Sequence, residues 1–182
     1  MSDLLTTFRF EVSLVRASDV VAGAPELPGI DDPAPTLGPG ASLLGQGAFQ
    51  ECSGLEIEVD VQEYAEGGRN NGVVRRLGRA KFQSLVLKRG MFYEGSDGKA
   101  NTDLWRWMQQ VINGERPVPR YNGVVKVMSA DKTLRATWTF ERGLPAKIKG
   151  PELNGKTGEI AVEELTIAHE GLRLVLPDGG DA

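Results

Sequence analysis

Histidine and cysteine, the residues most often used as a general base and as a thiol nucleophile, each occur once in this sequence. His169 is followed by Glu170, and Cys52 lies in Glu51-Cys52-Ser53-Gly54. A Ser-His-Asp or Cys-His scheme would need His169, but no nucleophile motif accompanies it. One histidine and one cysteine are also too few for a nitrogen–sulfur zinc cluster. The sequence therefore predicts a structural histidine, a small buried cysteine and no catalytic residue, metal ligand or cofactor.

Carboxylates and aromatic side chains leave two other kinds of chemistry open. Aspartate and glutamate total 25, so a glycosidase-like pair is possible by count, although no pattern singles one out. Trp105, Trp107 and Trp138 could form a sugar platform, but their periodic positions favour packing in a core or an interface. No Gly-x-x-x-x-Gly-Lys-Ser/Thr loop is present to bind phosphate. The sequence predicts that the protein is not an enzyme.

Length and composition predict a single domain, residues 1–182, without a membrane span. No apolar run approaches the roughly 20 residues that a transmembrane helix needs. The first residues show neither the basic start nor the apolar core of a secretory signal, so synthesis in the cytoplasm is expected. The formal net charge of −4 argues against sequence-independent binding of nucleic acid.

Apolar and polar residues alternate along much of the sequence, which predicts that β-strands hold most of its side chains in place. A first strand carries Phe8, Phe10, Val12 and Leu14 on one face, and a second carries Leu55, Ile57, Val59 and Val61. Val124 to Met128 and Leu134 to Phe140 flank a short polar turn and predict a hairpin with one wet face. That wet face would carry Arg135, Thr137, Thr139 and Glu141. A further strand is predicted from Gln83 to Lys88.

The last long strand changes its apolar phase. Ile160 and Val162 are apolar at even positions, whereas Leu165 and Ile167 continue at odd ones. An extra residue at the change would keep both halves on one face, so the sequence predicts a β-bulge or a sharp bend at Glu163-Glu164.

One segment has helical spacing, and one has no regular spacing at all. Leu104, Trp107, Met108 and Val111 predict an amphipathic helix, with Asn101 or Thr102 as its cap and Gly114 at its end. Residues 17–47 hold five of the ten prolines and no lysine or arginine. Proline cannot donate to a strand ladder, so this segment is predicted to be an inserted arm or extended loop without a ladder strand.

Several segments, in order along the chain, resemble the tail-tube family of contractile-tailed phages and phage-like injection systems. They are Phe49 to Leu55, Glu63 to Gly68, Leu85 to Gly90, Asp103 to Trp107, Pro145 to Asn154 (a linker before the last strands) and Glu163 to Leu172. The resemblance covers roughly residues 48 to 176 and the first strand. Two features depart from the family pattern: the arm is longer, and Arg76-Leu77-Gly78-Arg79 replaces a Leu-Pro-Gly turn.

The resemblance implies a mainly β fold, an antiparallel β-barrel or sandwich with one flanking α-helix. It implies a structural subunit that assembles with itself into hexameric rings, which stack into the inner tube of a phage tail or injection particle. The implied partners are a sheath protein, baseplate or spike proteins, tube-terminating proteins and a protein or DNA cargo in the channel. The long arm favours, as an alternative, a specialised ring at the baseplate. A monomeric β-barrel that binds a small ligand is the alternative from a different class.

Two groups of residues are candidates for contacts within such a tube. Glu56, Glu58 and Asp60 form an acidic strand face that could line the channel or be an ordinary solvated face. Glu66, Gly67, Gly68, Arg69, Asn70 and Asn71 form a polar, glycine-containing loop that could touch a neighbouring subunit or be a flexible turn.

Overall fold

The computed structural model describes residues 9–17, 43–44, 49–64, 72–94, 98–156 and 158–175 of the chain. Within these residues there are twelve strands and one helix. Their bounds are Phe10–Arg16 (β1), Leu43–Leu44 (β2), Phe49–Ser53 (β3), Ile57–Tyr64 (β4), Val74–Phe82 (β5), Leu85–Gly90 (β6), Tyr93–Glu94 (β7), Lys99–Ala100 (β8), Asp103–Ile112 (α1), Tyr121–Met128 (β9), Leu134–Lys149 (β10), Val162–Ala168 (β11) and Gly171–Val175 (β12).

Strand β10 is the longest element and joins the two halves of the fold. Its first part pairs with β9 on one side and with β12 on the other, and its last part pairs with β11. The resulting antiparallel sheet has the order β2-β1-β9-β10-β11-β6-β3, with β12 beside β10. Strands β1 and β3, near opposite ends of this order, approach each other, so the sheet curls around a core. The predicted antiparallel β-barrel or sandwich with one flanking helix is confirmed.

The core is filled from both halves of the sheet and from the helix. Leu14 of β1, Phe140 of β10 and Ile167 of β11 are fully buried and belong to one hydrophobic cluster with Trp107 of α1. Burial of such side chains contributes about 1.5–3 kcal/mol each. The predicted period-two pattern of these strands is therefore confirmed where it faces the core.

The predicted hairpin of β9 and β10 is confirmed, but part of its wet face is covered. Thr137 and Thr139 are buried rather than solvated, so the prediction of an open polar face is wrong at these two positions. Arg173 of β12 lies beside Thr139, and its Nε donates a hydrogen bond to Thr139 Oγ1 at 3.0 Å. The long arginine side chain covers the threonine and satisfies its hydroxyl.

Strand β11 turns a charged residue inward. It pairs with β6 in unbroken register, so the predicted β-bulge at Glu163-Glu164 is wrong. Glu163 is buried on the same face as Leu165 and Ile167, directly opposite Arg89. The apolar phase changes because an ion pair occupies an inward position that a period-two pattern assigns to an apolar residue.

Two segments that the resemblance placed outside strands lie inside them. Pro145–Lys149, predicted as part of a linker, forms the end of β10, and its pairing with β11 shifts between Pro145 and Lys147. A bulge tolerates proline because the missing N–H is not needed there. Residues 76–79, predicted as a turn, lie within β5. Two residues of β5, Gly78 and Arg79, face the single residue Asp60 of β4, which makes a bulge.

Most of the predicted arm, residues 17–47, lies outside the described residues, as does Phe8. The exceptions are Ala17, which follows β1 directly, and Leu43–Leu44, which pairs with Leu14 and Val15 of β1. The prediction that no part of the arm joins a ladder is therefore wrong at this point. These residues can pair because no proline or glycine interrupts the chain between Gly40 and Gly45.

Helix α1 forms where the sequence predicts it. Leu104 and Trp107 are buried, and Asp103 stands in the first turn, where a negative charge suits the helix dipole. The Asp103 backbone N–H donates to Asn101 Oδ1 at 3.2 Å, so Asn101 contributes to the start of the helix. No helix in the described part of the chain has the length and apolarity to span a bilayer.

Gly123 leaves the space that the Phe140 ring occupies. The two residues are register partners across β9 and β10, and a Cβ on Gly123 would lie 1.9 Å from Phe140 Cε1. Because Phe140 is fully buried, Gly123→Ala is expected to lower the free energy of unfolding by about 1–3 kcal/mol in urea denaturation. Gly155→Ala is the control, because a Cβ there meets nothing within 4 Å. Equal losses in the two variants would contradict the prediction.

Candidate assembly interface

Strands β4 and β5 form a two-stranded antiparallel ribbon that stands apart from the main sheet. They pair with each other from Ile57↔Phe82 to Tyr64↔Val74 and, among the described residues, with no other strand. No described strand pairs with either outer edge of the ribbon, so the backbone N–H and C=O groups there have no ladder partner in this part of the chain. Such edges are places where another strand can add, and a protein that stays monomeric usually covers or shortens them.

One face of the ribbon is apolar and open to solvent, up to the Glu63–Arg75 ion pair near its far end. Ile57 is 51% exposed, Val61 is 56% exposed and Leu77 is 78% exposed, and Val59 lies between them on the same face. Phe82, at the base of this face, packs against the hydrophobic core. Phe82 thus lies on the exposed apolar face of the ribbon and also contacts the core of the protein. An exposed apolar surface of this kind is typical of a contact with another molecule.

The opposite face of the ribbon carries charges of both signs. Directly opposite residues share a face, which places Glu58 with Lys81 and puts Arg76 on the same side. Asp60 Oδ1 accepts a bond from Lys81 Nζ at 2.7 Å, and this hydrogen bond raises the pKa of Lys81. Arg76 lies 5.4 Å from the centroid of the Tyr64 ring, in a cation–π contact.

Only the acidic half of this face was predicted from the sequence. Glu58 and Asp60 lie on it, and Glu56 is exposed just before β4 begins. The basic residues Arg76, Arg79 and Lys81 were missed because residues 76–79 were assigned to a turn. Gly78 inside an otherwise alternating segment was the available signal, since an isolated glycine in a strand indicates a bulge. The candidate loop Glu66 to Asn71 lies outside the described residues.

His169 fastens the base of the ribbon to the barrel. Its Nδ1 lies 3.0 Å from the Gly171 carbonyl oxygen and its Nε2 lies 2.9 Å from that of Gln83. The ring also packs between Phe82 and Phe140. Burial lowers the pKa of His169, while the two carbonyl contacts oppose that shift. Both ring nitrogens face backbone carbonyl oxygens, an environment typical of a structural histidine.

Cys52 has the environment of a packing residue. It is half-buried against the core, and burial raises the pKa of its thiol to about 11. Only the thiolate is an effective nucleophile, so the raised pKa disfavours reaction of this thiol near neutral pH. In the parts of the chain that the structure describes, no three His, Cys, Asp or Glu residues are grouped so that they could hold a metal ion.

Comparison with known proteins decides the family. The profile of the T4-like virus tail tube protein gp19 family matches residues 6–173, which is most of the chain. The chain belongs to the tail tube family. It is therefore a structural subunit of a tube, and family membership does not favour a monomeric ligand-binding module. Comparison with curated protein sequences gives no match.

Solved structures show the same fold as this tail tube family member. A chain from the 6-fold symmetrised baseplate of the anti-feeding prophage is 18% identical, with a TM-score of 0.66 over 96% of this chain and 97% of that one. A chain from the sheath-tube complex of the PVC extracellular contractile injection system, in its extended state, is 18% identical, with a TM-score of 0.66 over 96% and 93%. A chain from the PVC sheath/tube terminator is 22% identical, with a TM-score of 0.63 over 95% and 97%. At these identities the likeness shows a shared fold.

Proposed function

We propose that the protein is the inner-tube subunit of a phage tail or contractile injection particle, in which hexameric rings of this chain stack around a channel. The β4–β5 ribbon supports this proposal most directly. A single copy exposes an apolar ribbon face and has two ribbon edges to which no described strand is paired, and neighbouring copies in a ring would cover both. The solved structures that share the fold come from a baseplate, a sheath-tube complex and a tube terminator.

The two faces of the ribbon suggest how it sits in a ring. The apolar face continues from Phe82, which packs on the core, so this face would turn outward onto the bodies of neighbouring subunits. The charged face would then line the water-filled channel, with Glu58, Asp60 and Lys81 among its residues. The channel wall would thus carry both signs of charge instead of the acidic lining that β4 alone predicts. Residues 66–71 are proposed contacts between subunits or rings.

The proposed role is mechanical and has no catalytic step. The proposed partners are a sheath around the tube, a baseplate or spike below it, a terminator above it, and a protein or DNA cargo inside it. A ring next to the baseplate is the second location compatible with this fold, since one matching structure is a baseplate. Imaging of whole particles with a label on this chain would separate a ring at one end from a tube along the full length.

Assembly of the purified protein tests the proposal. Size-exclusion chromatography with light scattering, followed by negative-stain imaging, is expected to show annular particles and stacks of them as the concentration rises. Persistence of a 19.7 kDa monomer at the highest soluble concentration would overturn the proposal.

A matched pair of variants locates the contact. Val61→Asp combined with Leu77→Asp places charge on the exposed apolar face of the ribbon, so this variant is expected to stay folded and fail to form rings. Ile112→Asp makes the same type of change at the exposed end of helix α1, where 73% of the side chain is open to solvent, and rings are expected to form normally. Rings from the first variant would show that the ribbon face is not the contact.

A further inference from the structure

The two strands of the ribbon carry opposite charges. Strand β4 contains Glu58, Asp60 and Glu63 and no lysine or arginine. Strand β5 contains Arg75, Arg76, Arg79 and Lys81 and no aspartate or glutamate. One long edge of the ribbon is therefore acidic and the other is basic. The two faces are different, because acidic and basic residues lie together on the same face.

Within one copy, the opposite charges of the ribbon pair with each other between strand β4 and strand β5. Glu63 accepts from Arg75 Nε at 3.2 Å, and Asp60 accepts from Lys81 at 2.7 Å. Every side chain in these two pairs is at least 43% exposed. Each strand also has an outer edge, and a strand added there would bring a second set of side chains to about 4.5–5.5 Å on each face. The sign of that second set decides whether the added strand is attracted or repelled.

Two copies can join their ribbons edge to edge in three ways. Joining β4 to β4, or β5 to β5, is symmetric about a two-fold axis, so that contact is used up once two copies have joined, and it places like charges opposite one another. Joining β4 of one copy to β5 of the next places opposite charges together and leaves one free β4 edge and one free β5 edge, so the same contact can repeat until a ring closes. Rotation about a ring axis also keeps β4 antiparallel to the neighbouring β5, which continues the ladder.

We propose that this separation of charge selects the contact, so that the acidic β4 edge binds the basic β5 edge of a second copy of this chain. The inference rests on the proposed function, because it assumes that copies meet through their ribbons. Its consequence is that ring closure is favoured over two-fold dimerisation by repulsion between like edges as well as by attraction between unlike ones. Because the edge charges are exposed, assembly is expected to weaken as salt concentration rises.

Charge reversal on one strand at a time tests the pairing. The first variant carries E58K, D60K and E63K, so both of its edges are basic. The second carries R75E, R76E, R79E and K81E, so both of its edges are acidic. Each variant alone is expected to need a protein concentration about tenfold higher or more for ring formation. An equimolar mixture is expected to recover rings that contain both chains, which mass spectrometry of isolated particles would show.

The controls separate this inference from the proposed function. A variant with E11K, E115K and E159K reverses three exposed charges outside the ribbon and should form rings as the wild type does. If the wild type forms no rings, the proposed function and this inference both fail. If the wild type forms rings and the two reversed variants form them equally well, only this inference is overturned. Folded variants whose mixture stays unassembled would also overturn it, because opposite charge on the two edges would then be insufficient.

Discussion

Replacing Arg89 with leucine is expected to lower the free energy of unfolding by about 3–5 kcal/mol, because it leaves the charge of Glu163 buried without a counter-ion. Arg89 Nε donates to Glu163 Oε1 at 2.6 Å, and both side chains are 1% exposed. The network extends to helix α1, where Arg89 Nη2 donates to Asn101 Oδ1 at 2.7 Å and Trp105 Nε1 donates to Glu163 Oε2 at 3.0 Å. The pair thus ties strands β6 and β11 to the start of the helix.

Two variants make this prediction specific. Lys88, the preceding residue on β6, has an exposed ion pair with Glu51 at 2.8 Å, so Lys88→Leu is expected to cost far less than Arg89→Leu. The double variant R89L/E163L removes both charges and is expected to recover much of the loss, since an apolar pair can replace a buried ion pair. Urea denaturation of the monomer, followed by tryptophan fluorescence, measures all three. A loss in Arg89→Leu no larger than in Lys88→Leu would contradict the prediction.

This ion pair also shows where prediction from the sequence stops. Helix α1 and the β9–β10 hairpin were predictable because their apolar spacing is set by residues close together in the chain, such as Leu104 and Trp107. Arg89 and Glu163 are 74 residues apart, and nothing local indicates that two charged residues share the interior. A period-two pattern assigns a lone glutamate to solvent. Only the partner on the neighbouring strand permits it to be buried.

The candidate interface was predictable to a similar extent. The alternation of β4 correctly indicated a strand with Glu58 and Asp60 on one face. The charge of that face depends on β5 beside it, and the bulge at Gly78 hides the alternation of β5 from a fixed-period analysis. The exposure of the apolar face was equally hidden, because period-two spacing tells which residues share a face and not whether the chain itself covers that face.

The second large effect is expected at Trp107, which holds helix α1 against the barrel. The side chain is fully buried, its ring meets Tyr121 edge-on with centroids 4.7 Å apart, and its Nε1 donates to the Pro119 carbonyl oxygen at 2.9 Å. Trp107→Ala is expected to lower the free energy of unfolding by about 3–5 kcal/mol, because it removes an aromatic side chain from the core and leaves a cavity.

Two further variants divide that effect into its parts. Trp107→Phe keeps most of the ring but loses the N–H, so the buried Pro119 carbonyl loses its donor, and we expect about 1–3 kcal/mol from this change alone. Ile112→Ala, at the exposed end of the same helix, is expected to change the free energy of unfolding by no more than about 0.5 kcal/mol. Urea denaturation followed by far-UV circular dichroism compares the three. Equal costs of Trp107→Ala and Ile112→Ala would contradict the prediction and would mean that other contacts hold the helix, such as Leu104 and the Trp105–Glu163 hydrogen bond.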